Sequence, residues 1–194
     1  MTRNLSRPIL GFLTIALFLS SLGGATKVLY VTHEPGRWHK YTAQKQIFSQ
    51  IAEKAGWELT VMTGEHEPQI AKLRTPDFGK GYDVIVYNFC FAKSRDIEAQ
   101  ANLVAQTREH GVPAMLIHCA MHSWWPTYRD GKPGAIGPDY KGNAKADPAL
   151  VAEWEKKHGD KPFPAWGDFT GVASGRHGPH QPIKMIKVGN HAAT

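Results

Sequence analysis

Histidine and cysteine side chains follow an apolar segment near the middle of the chain. Residues 112–117 read Val-Pro-Ala-Met-Leu-Ile, and His118, Cys119 and His122 come shortly after them. Such an apolar run, entered through a Gly-Val-Pro turn, is typical of a strand buried on both faces of a parallel sheet. Ligands of open α/β sheets bind beyond the carboxyl ends of the strands, here called the carboxyl rim. The sequence therefore predicts a functional site at this rim, with His118 at its centre.

Other histidines fall in loops that are expected at the same rim, two after the first predicted strand and two nearer the end of the chain. These are His33, His39, His177 and His180. Topology favours His33 as the imidazole that faces His118. Converging neutral imidazoles could hold a divalent metal, with His33, His118 and His122 as candidate ligands. No HExxH-type spacing is present, so a hydrogen-bonding or solvent-exposed role stays open for each histidine.

Acidic, amide and aromatic side chains accompany these histidines. Glu34 could supply charge or orient an imidazole ring, and Asn88 ends the third predicted strand. The indoles of Trp124 and Trp166 offer flat apolar faces that suit sugar rings or partner surfaces. Packing of these loops onto the sheet is the alternative interpretation of both rings.

Strand and helix patterns alternate along the first 120 residues. Strand patterns cover 27–32, 57–62 and 82–88 and the run from 112, while helical patterns cover 41–55, about 69–73 and 95–110. Ser94 is the expected N-cap of the last of these helices, and Ile47, Phe48, Ile51 and Ala55 form an apolar stripe on the first. This order predicts an α/β, flavodoxin-like three-layer sandwich with a mostly parallel sheet, in which the first strand lies between the second and third.

A long Gly- and Pro-rich segment follows the predicted rim residues. Residues 126–163 exceed an ordinary connection, and Asp147-Pro148 predicts the start of a short helix that ends near residue 158. We expect this segment to act as a mobile lid over the rim, with a surface excursion as the alternative. Residues 183–188 alternate like a strand with one solvated face, and the chain ends soon after, which indicates a C-terminally incomplete domain.

The N-terminal segment has the pattern of a secretory signal. Arg3 and Arg7 precede an apolar run at 9–22, and Gly-Gly-Ala at 23–25 suits cleavage after residue 25. An uncleaved membrane anchor is the alternative, although the run is short for a full span. We therefore expect residues 26–194 to form one periplasmic or secreted domain without stable membrane association. The net charge of +6 is carried by scattered residues, so no nucleic-acid partner is expected.

Several short motifs together resemble the ThuA-like, or trehalose-utilisation, family of the class I glutamine amidotransferase-like superfamily. The matching pieces are Val31-Thr32-His33-Glu34 with His39, Tyr82-Asp83-Val84-Ile85-Val86, Ile117-His118-Cys119-Ala120, Trp166-Gly167-Asp168-Phe169-Thr170-Gly171, and then His177, His180 and His191. The Ile-His-Cys-Ala and Trp-x-x-Phe-x-Gly pieces are the more specific ones. The resemblance covers most of residues 26–194.

The resemblance implies an exported protein of carbohydrate metabolism. Its substrate would be a trehalose-like or keto-disaccharide small molecule, processed by hydrolysis or elimination with His118, His33 and Glu34 as the catalytic residues. In this interpretation Glu34 is the charged partner of His118. The substrate would contact the remaining rim residues, which are His39, Asn88, His122, Trp124, Trp166, His177 and His180. A divalent metal is one cofactor that these donors could hold. A non-catalytic sugar-binding or interaction module is the alternative, and the sequence favours no oligomeric state.

The two cysteines could act as a catalytic nucleophile, as buried thiols or as a disulfide pair. An amidotransferase cysteine sits on a strand-to-helix elbow between small residues, whereas Cys119 is flanked by Ile117 and Met121, so His118 falls at the elbow position instead. This disfavours Cys119 as a nucleophile and favours a small buried thiol. Cys90 ends a neighbouring strand, and a disulfide between Cys90 and Cys119 stays open.

Overall fold

The computed structural model describes residues 24–124 and 147–171, together with positions 182 and 184. Its sheet consists of four parallel strands: β1 (Lys27–Thr32), β2 (Glu58–Met62), β3 (Val84–Asn88) and β4 (Ala114–Leu116). Their order is β2-β1-β3-β4, so the first strand lies between the second and third. The predicted α/β, flavodoxin-like arrangement is confirmed.

The strand register brings three loops to one rim. Thr32 at the end of β1 pairs with Asn88 at the end of β3, and Tyr87 pairs with Leu116 at the end of β4. The segments that begin at His33, Phe89 and Ile117 therefore leave the sheet side by side. Because parallel strands end at a common edge, this register positions the candidate site.

Helices lie between and after the strands. They are α1 (Tyr41–Ala55), α2 (His66–Leu73), α3 (Ile97–Arg108), α4 (Pro148–His158) and the short α5 (Trp166–Thr170), and a 3₁₀ turn at His118–His122 is here called the elbow turn. The predicted end of α1 is confirmed, because Gly56 adopts the left-handed conformation. Among the described residues, no helix has the length and apolar character needed to cross a bilayer.

The N-cap of α3 differs from the prediction. The prediction of Ser94 is wrong, because the helix begins two residues later and the Asp96 carboxylate accepts the Ala99 backbone N–H. Ser94 Oγ accepts the N–H of Asp96 instead. The start of α4 agrees with the prediction, with Asp147 as the cap and Pro148 at the first helical position.

Side chains alternate between the two faces of the sheet and form two apolar layers. Leu29, Val31, Ile85 and Tyr87 pack with α2, α3 and α5, while Val28, Tyr30 and Val86 pack with α1. The core on the α3 side also contains two complete indole rings. They belong to Trp124 and Trp166, which lie directly beneath the elbow turn.

Only part of the apolar stripe predicted on α1 is buried in the structure. Ile47 and Ile51 are 58% and 48% exposed, whereas Tyr41 and Ala52 are buried and Phe48 stacks on Tyr30 at a centroid distance of 4.6 Å. The helix is therefore rotated from the predicted orientation. Tyr41, Phe48 and Ala52 also recur at helical spacing, and the flat Tyr30 surface accommodates Phe48 in the centre of the contact.

Three predictions fall wholly or largely outside the described residues. These are the signal segment at 1–25, the central part of the 126–163 segment and the strand at 183–188. The described part of the 126–163 segment, residues 147–163, contains α4, whose Leu150 and Trp154 pack on Ile97 and Ala101 at the start of α3. Whether the rest covers the rim stays a prediction.

Candidate functional site

His118 lies at the point where β4 gives way to the elbow turn. Its φ is +47°, in the left-handed region, and its side chain is exposed. A residue with a Cβ pays roughly 1–2 kcal/mol in this conformation, and strained residues of this kind cluster at active sites and ligand clamps. Asp77 and Trp124 also have a positive φ, but His118 combines it with an exposed imidazole at the rim. The strand, the abrupt turn and the left-handed residue together form an elbow, and His118 occupies its tip.

The imidazole that faces His118 belongs to His39. The two ring centroids are 4.9 Å apart and the ring planes cross at 84°, an edge-to-face contact. His39 comes from the loop between β1 and α1, so two separate loops deliver this pair. The prediction that His33 faces His118 is wrong: the residue directly after β1 is still enclosed by packing, and the chain needs six further residues to reach the elbow.

His33 is held in an aromatic enclosure. Its ring is 2% exposed and lies 4.7 Å from Tyr41, 5.0 Å from Phe91 and 5.4 Å from His66, measured between centroids. Burial, reinforced by the neighbouring His66, lowers the pKa of His33 to about 4. Its buried Nδ1 has no hydrogen-bond partner among the described residues. The environment therefore keeps this imidazole neutral and suits it to packing.

Glu34 does not contact His118. Its carboxylate accepts hydrogen bonds from Lys45 Nζ at 2.5 Å and Thr63 Oγ1 at 3.1 Å, and its backbone N–H donates to the Gly64 carbonyl at 2.8 Å. The Lys45 hydrogen bond is the main cause that lowers the pKa of Glu34. The predicted pairing of Glu34 with His118 is thus replaced by a contact that fastens the loop after β1 to α1 and to the segment after β2.

Two thiols and a third imidazole lie beside the His118–His39 pair. The sulfurs of Cys90 and Cys119 and a ring nitrogen of His122 all fall within 4.8 Å of one another. Cys119 Sγ also lies 2.8 Å from His39 Nε2 and 3.4 Å from His118 Nδ1. The disulfide between Cys90 and Cys119 is not formed in this structure.

The electrostatics of the two thiols differ. The hydrogen bond from Cys119, with a further one from His122, lowers the pKa of Cys90 to about 4, while the same contact with Cys90 and then burial raise the pKa of Cys119. The contact between the two sulfurs therefore favours the thiolate form of Cys90 and disfavours that of Cys119, so the two thiols titrate as a pair. Partial burial, followed by the nearby His39 and His122, lowers the pKa of His118.

The remaining predicted substrate contacts occupy structural positions. Asn88 is buried, and its Nδ2 donates to Tyr30 Oη at 2.5 Å and Gln44 Oε1 at 2.9 Å. Trp124 and Trp166 are fully buried, 5.0 Å apart between ring centroids, and their indole N–H groups donate to the Asp96 and Ala120 carbonyls. Both indoles support the elbow turn from beneath, and neither presents a ring face to a sugar in this structure.

The structure thus brings together three of the predicted residues, which are His39, His118 and His122. Cys90 and Cys119 also belong to the site, although neither is among the predicted site residues. The signal for them is the position of each cysteine shortly after one of two neighbouring strands. His177 and His180 lie outside the described residues, as does His191.

Comparison of the chain with protein-family models, with curated proteins and with solved structures finds no significant match. The rim geometry and the short motifs of the sequence are therefore the features that bear on function.

Proposed function

We propose that this chain is a ThuA-like enzyme of carbohydrate metabolism that acts on a small sugar substrate at the carboxyl rim. The main support for the proposal is the position of His118. This side chain is exposed at the tip of the elbow, and the His39 ring contacts it edge to face. The Ile117-His118-Cys119-Ala120 motif supports the family, and the pattern at 1–25 supports a periplasmic or secreted location.

The geometry favours His118 as the group that contacts the substrate. It combines an exposed imidazole with a backbone conformation that only a strong local constraint maintains. His39 can orient the His118 ring from one side, and its own Nε2 is engaged with Cys119. His33 and Glu34, which the sequence places nearby, are held by other partners and have no catalytic role in this proposal.

Elimination from a keto-disaccharide is the reaction that two adjacent imidazoles serve most simply. A base removes the proton from the carbon next to the ketone, the glycosidic C–O bond at the following carbon breaks, and an acid returns a proton to the departing sugar oxygen. The products are an unsaturated keto-sugar and a free sugar. His118 would take the proton from carbon, and His39 lies close enough to assist its return. Hydrolysis of the same bond would add water across it instead.

A substrate screen that compares His118→Ala with a control variant, His110→Ala, tests the proposal. Purified chain is assayed against trehalose-like glucosides and their keto derivatives, and His118→Ala is expected to lower turnover roughly a hundredfold or more while sugar affinity is retained. His110→Ala is the control, because His110 follows the C-terminal end of α3 and pairs with Asp77 away from the rim. Unchanged turnover in His118→Ala would contradict the proposal, and sugar binding without any turnover would favour the non-catalytic module.

A further inference from the structure

Cys90, Cys119 and His122 form a compact group of metal-ligating atoms that the proposed sugar chemistry does not use. We propose that these three side chains bind a single d¹⁰ cation of the zinc type. The proposal goes beyond the carbohydrate activity and does not depend on it, since metal binding can be measured without any substrate.

The distances within the group suit a tetrahedral cation. Zinc–sulfur and zinc–nitrogen bonds of about 2.3 and 2.0 Å place neighbouring ligand atoms roughly 3.5–3.8 Å apart. The two sulfurs and the His122 nitrogen already lie within 4.8 Å of one another, so small side-chain movements suffice to close the shell. Three protein ligands leave one position of a tetrahedral shell for water or another ligand.

Three hydrogen bonds of backbone N–H groups hold the two contributing loops together independently of any metal. The Phe91 N–H donates to Ser123 Oγ at 3.1 Å, and the Trp124 N–H donates to the Phe91 carbonyl at 3.0 Å. Below them, the Ile117 N–H donates to the Tyr87 carbonyl at 2.9 Å. These bonds join the loop after β3 to the elbow turn on both sides of the cysteines, so the donors are preorganised.

The donor chemistry selects the class of cation. Thiolate sulfur and imidazole nitrogen favour zinc or monovalent copper, whereas magnesium and calcium prefer oxygen donors. Two thiolates also supply the negative charge that a buried dication requires, and Cys119 and His122 are only 2% and 8% exposed.

His39 is placed to tune this site without being a ligand. Its Nε2 lies 2.8 Å from Cys119 Sγ and can donate a hydrogen bond to a metal-bound thiolate. His39, His118 and Cys119 form a second possible triad that shares the same sulfur. We assign the cation to the Cys90 triad because it contains both thiols and more buried side chains, while His118 is exposed.

Cobalt titration of the reduced, chelator-treated full chain tests the site. One equivalent of Co²⁺ should produce a thiolate-to-cobalt charge-transfer band, and one equivalent of Zn²⁺ should abolish it. Cys90→Ser, Cys119→Ser and His122→Ala should each weaken cobalt affinity at least a hundredfold, and His39→Ala should weaken it roughly 10–100-fold. His118→Ala should keep both the band and the stoichiometry.

Two outcomes would overturn the assignment. One is a reduced wild-type chain that gives no thiolate–cobalt band, a result that needs no variant and so cannot be blamed on misfolding. The other is a band that survives Cys90→Ser and His122→Ala but disappears in His118→Ala, which would move the cation to the second triad. The first result leaves the turnover test of His118→Ala unaffected, and cobalt binding is measured without substrate, so a failure of the metal site is distinguishable from a failure of the proposed function.

Discussion

Two histidines at the same rim have opposite environments. His33 follows β1, is 2% exposed and is surrounded by Tyr41, His66 and Phe91. His118 follows the end of β4, is exposed on a left-handed backbone and contacts His39 and Cys119. The comparison shows that the residue type and its position after a strand do not decide whether an imidazole is available for chemistry. The elements that cover the strand end decide it.

The cause of the difference is the position of each strand in the sheet. β1 is an inner strand, and the start of α1 and the start of α2 close over its end with Tyr41 and His66. β4 is an edge strand of the described sheet, and the chain leaves it through the elbow turn that begins at His118. Among the described residues, the starts of two helices therefore cover the end of β1, while His118 after β4 stays exposed.

The largest expected effect comes from removing the indole that supports the elbow. Trp166→Ala should lower the free energy of unfolding by about 3–5 kcal/mol, because a fully buried ring and its hydrogen bond to the Ala120 carbonyl are lost. Urea denaturation measures the change. Trp38→Ala is the control, since Trp38 is 70% exposed and its loss should cost no more than about 0.5 kcal/mol. Equal effects of the two substitutions would show that the elbow has no such support.

The fold could be predicted because its signals are local. The apolar strands, the Gly56 terminus and the Asp147-Pro148 start each depend on a few neighbouring residues, and the strand order follows from the parallel topology. The misplaced cap at Ser94 has a comparable local origin, since Asp96 competes for the same role two residues later. Such errors move a helix boundary without changing the fold.

The site could be predicted only in part because its contacts are not local. The sequence identified which loops reach the rim, but the turn-rich segment between His33 and His39 has no periodicity that shows which ring faces His118. The sequence predicts a histidine partner for Glu34, whereas in the structure Lys45 and Thr63 from other parts of the chain bind its carboxylate. The Cys90–Cys119 contact depends on two loops whose side-chain directions only the assembled sheet determines.

The next effect concerns acid stability at the His33 enclosure. The folded-state pKa of His33 is about 4, below its ordinary value near 6.5, so the unfolded chain takes up a proton first as the pH falls. The neutral buried ring therefore contributes stability above pH 6.5 that is lost between about 6.5 and 4. Over this pH range the free energy of unfolding of His33→Phe should fall by about 2 kcal/mol less than that of the wild type. Urea denaturation at several pH values measures the difference. Parallel curves for the two proteins would contradict the proposed burial.

The smallest effect concerns the backbone at His118. Glycine accepts a φ of +47° without strain, whereas alanine retains the Cβ that makes this conformation costly. His118→Gly should therefore be about 1 kcal/mol more stable than His118→Ala, as measured by thermal or urea unfolding. Gly56→Ala is the matched control at another left-handed position and should be destabilising by a similar amount. If the alanine variant is the more stable, the elbow does not impose a left-handed residue.

The most direct test of the central claim compares His118→Ala with His33→Phe in two parallel assays, turnover of the keto-disaccharide panel and free energy of unfolding at neutral pH. Turnover of His118→Ala should fall roughly a hundredfold or more, with stability nearly unchanged. His33→Phe should retain most of its turnover, and its main effect should be on the pH dependence of stability. The opposite pattern, with turnover lost in His33→Phe and kept in His118→Ala, would contradict the assignment of the accessible elbow as the functional centre.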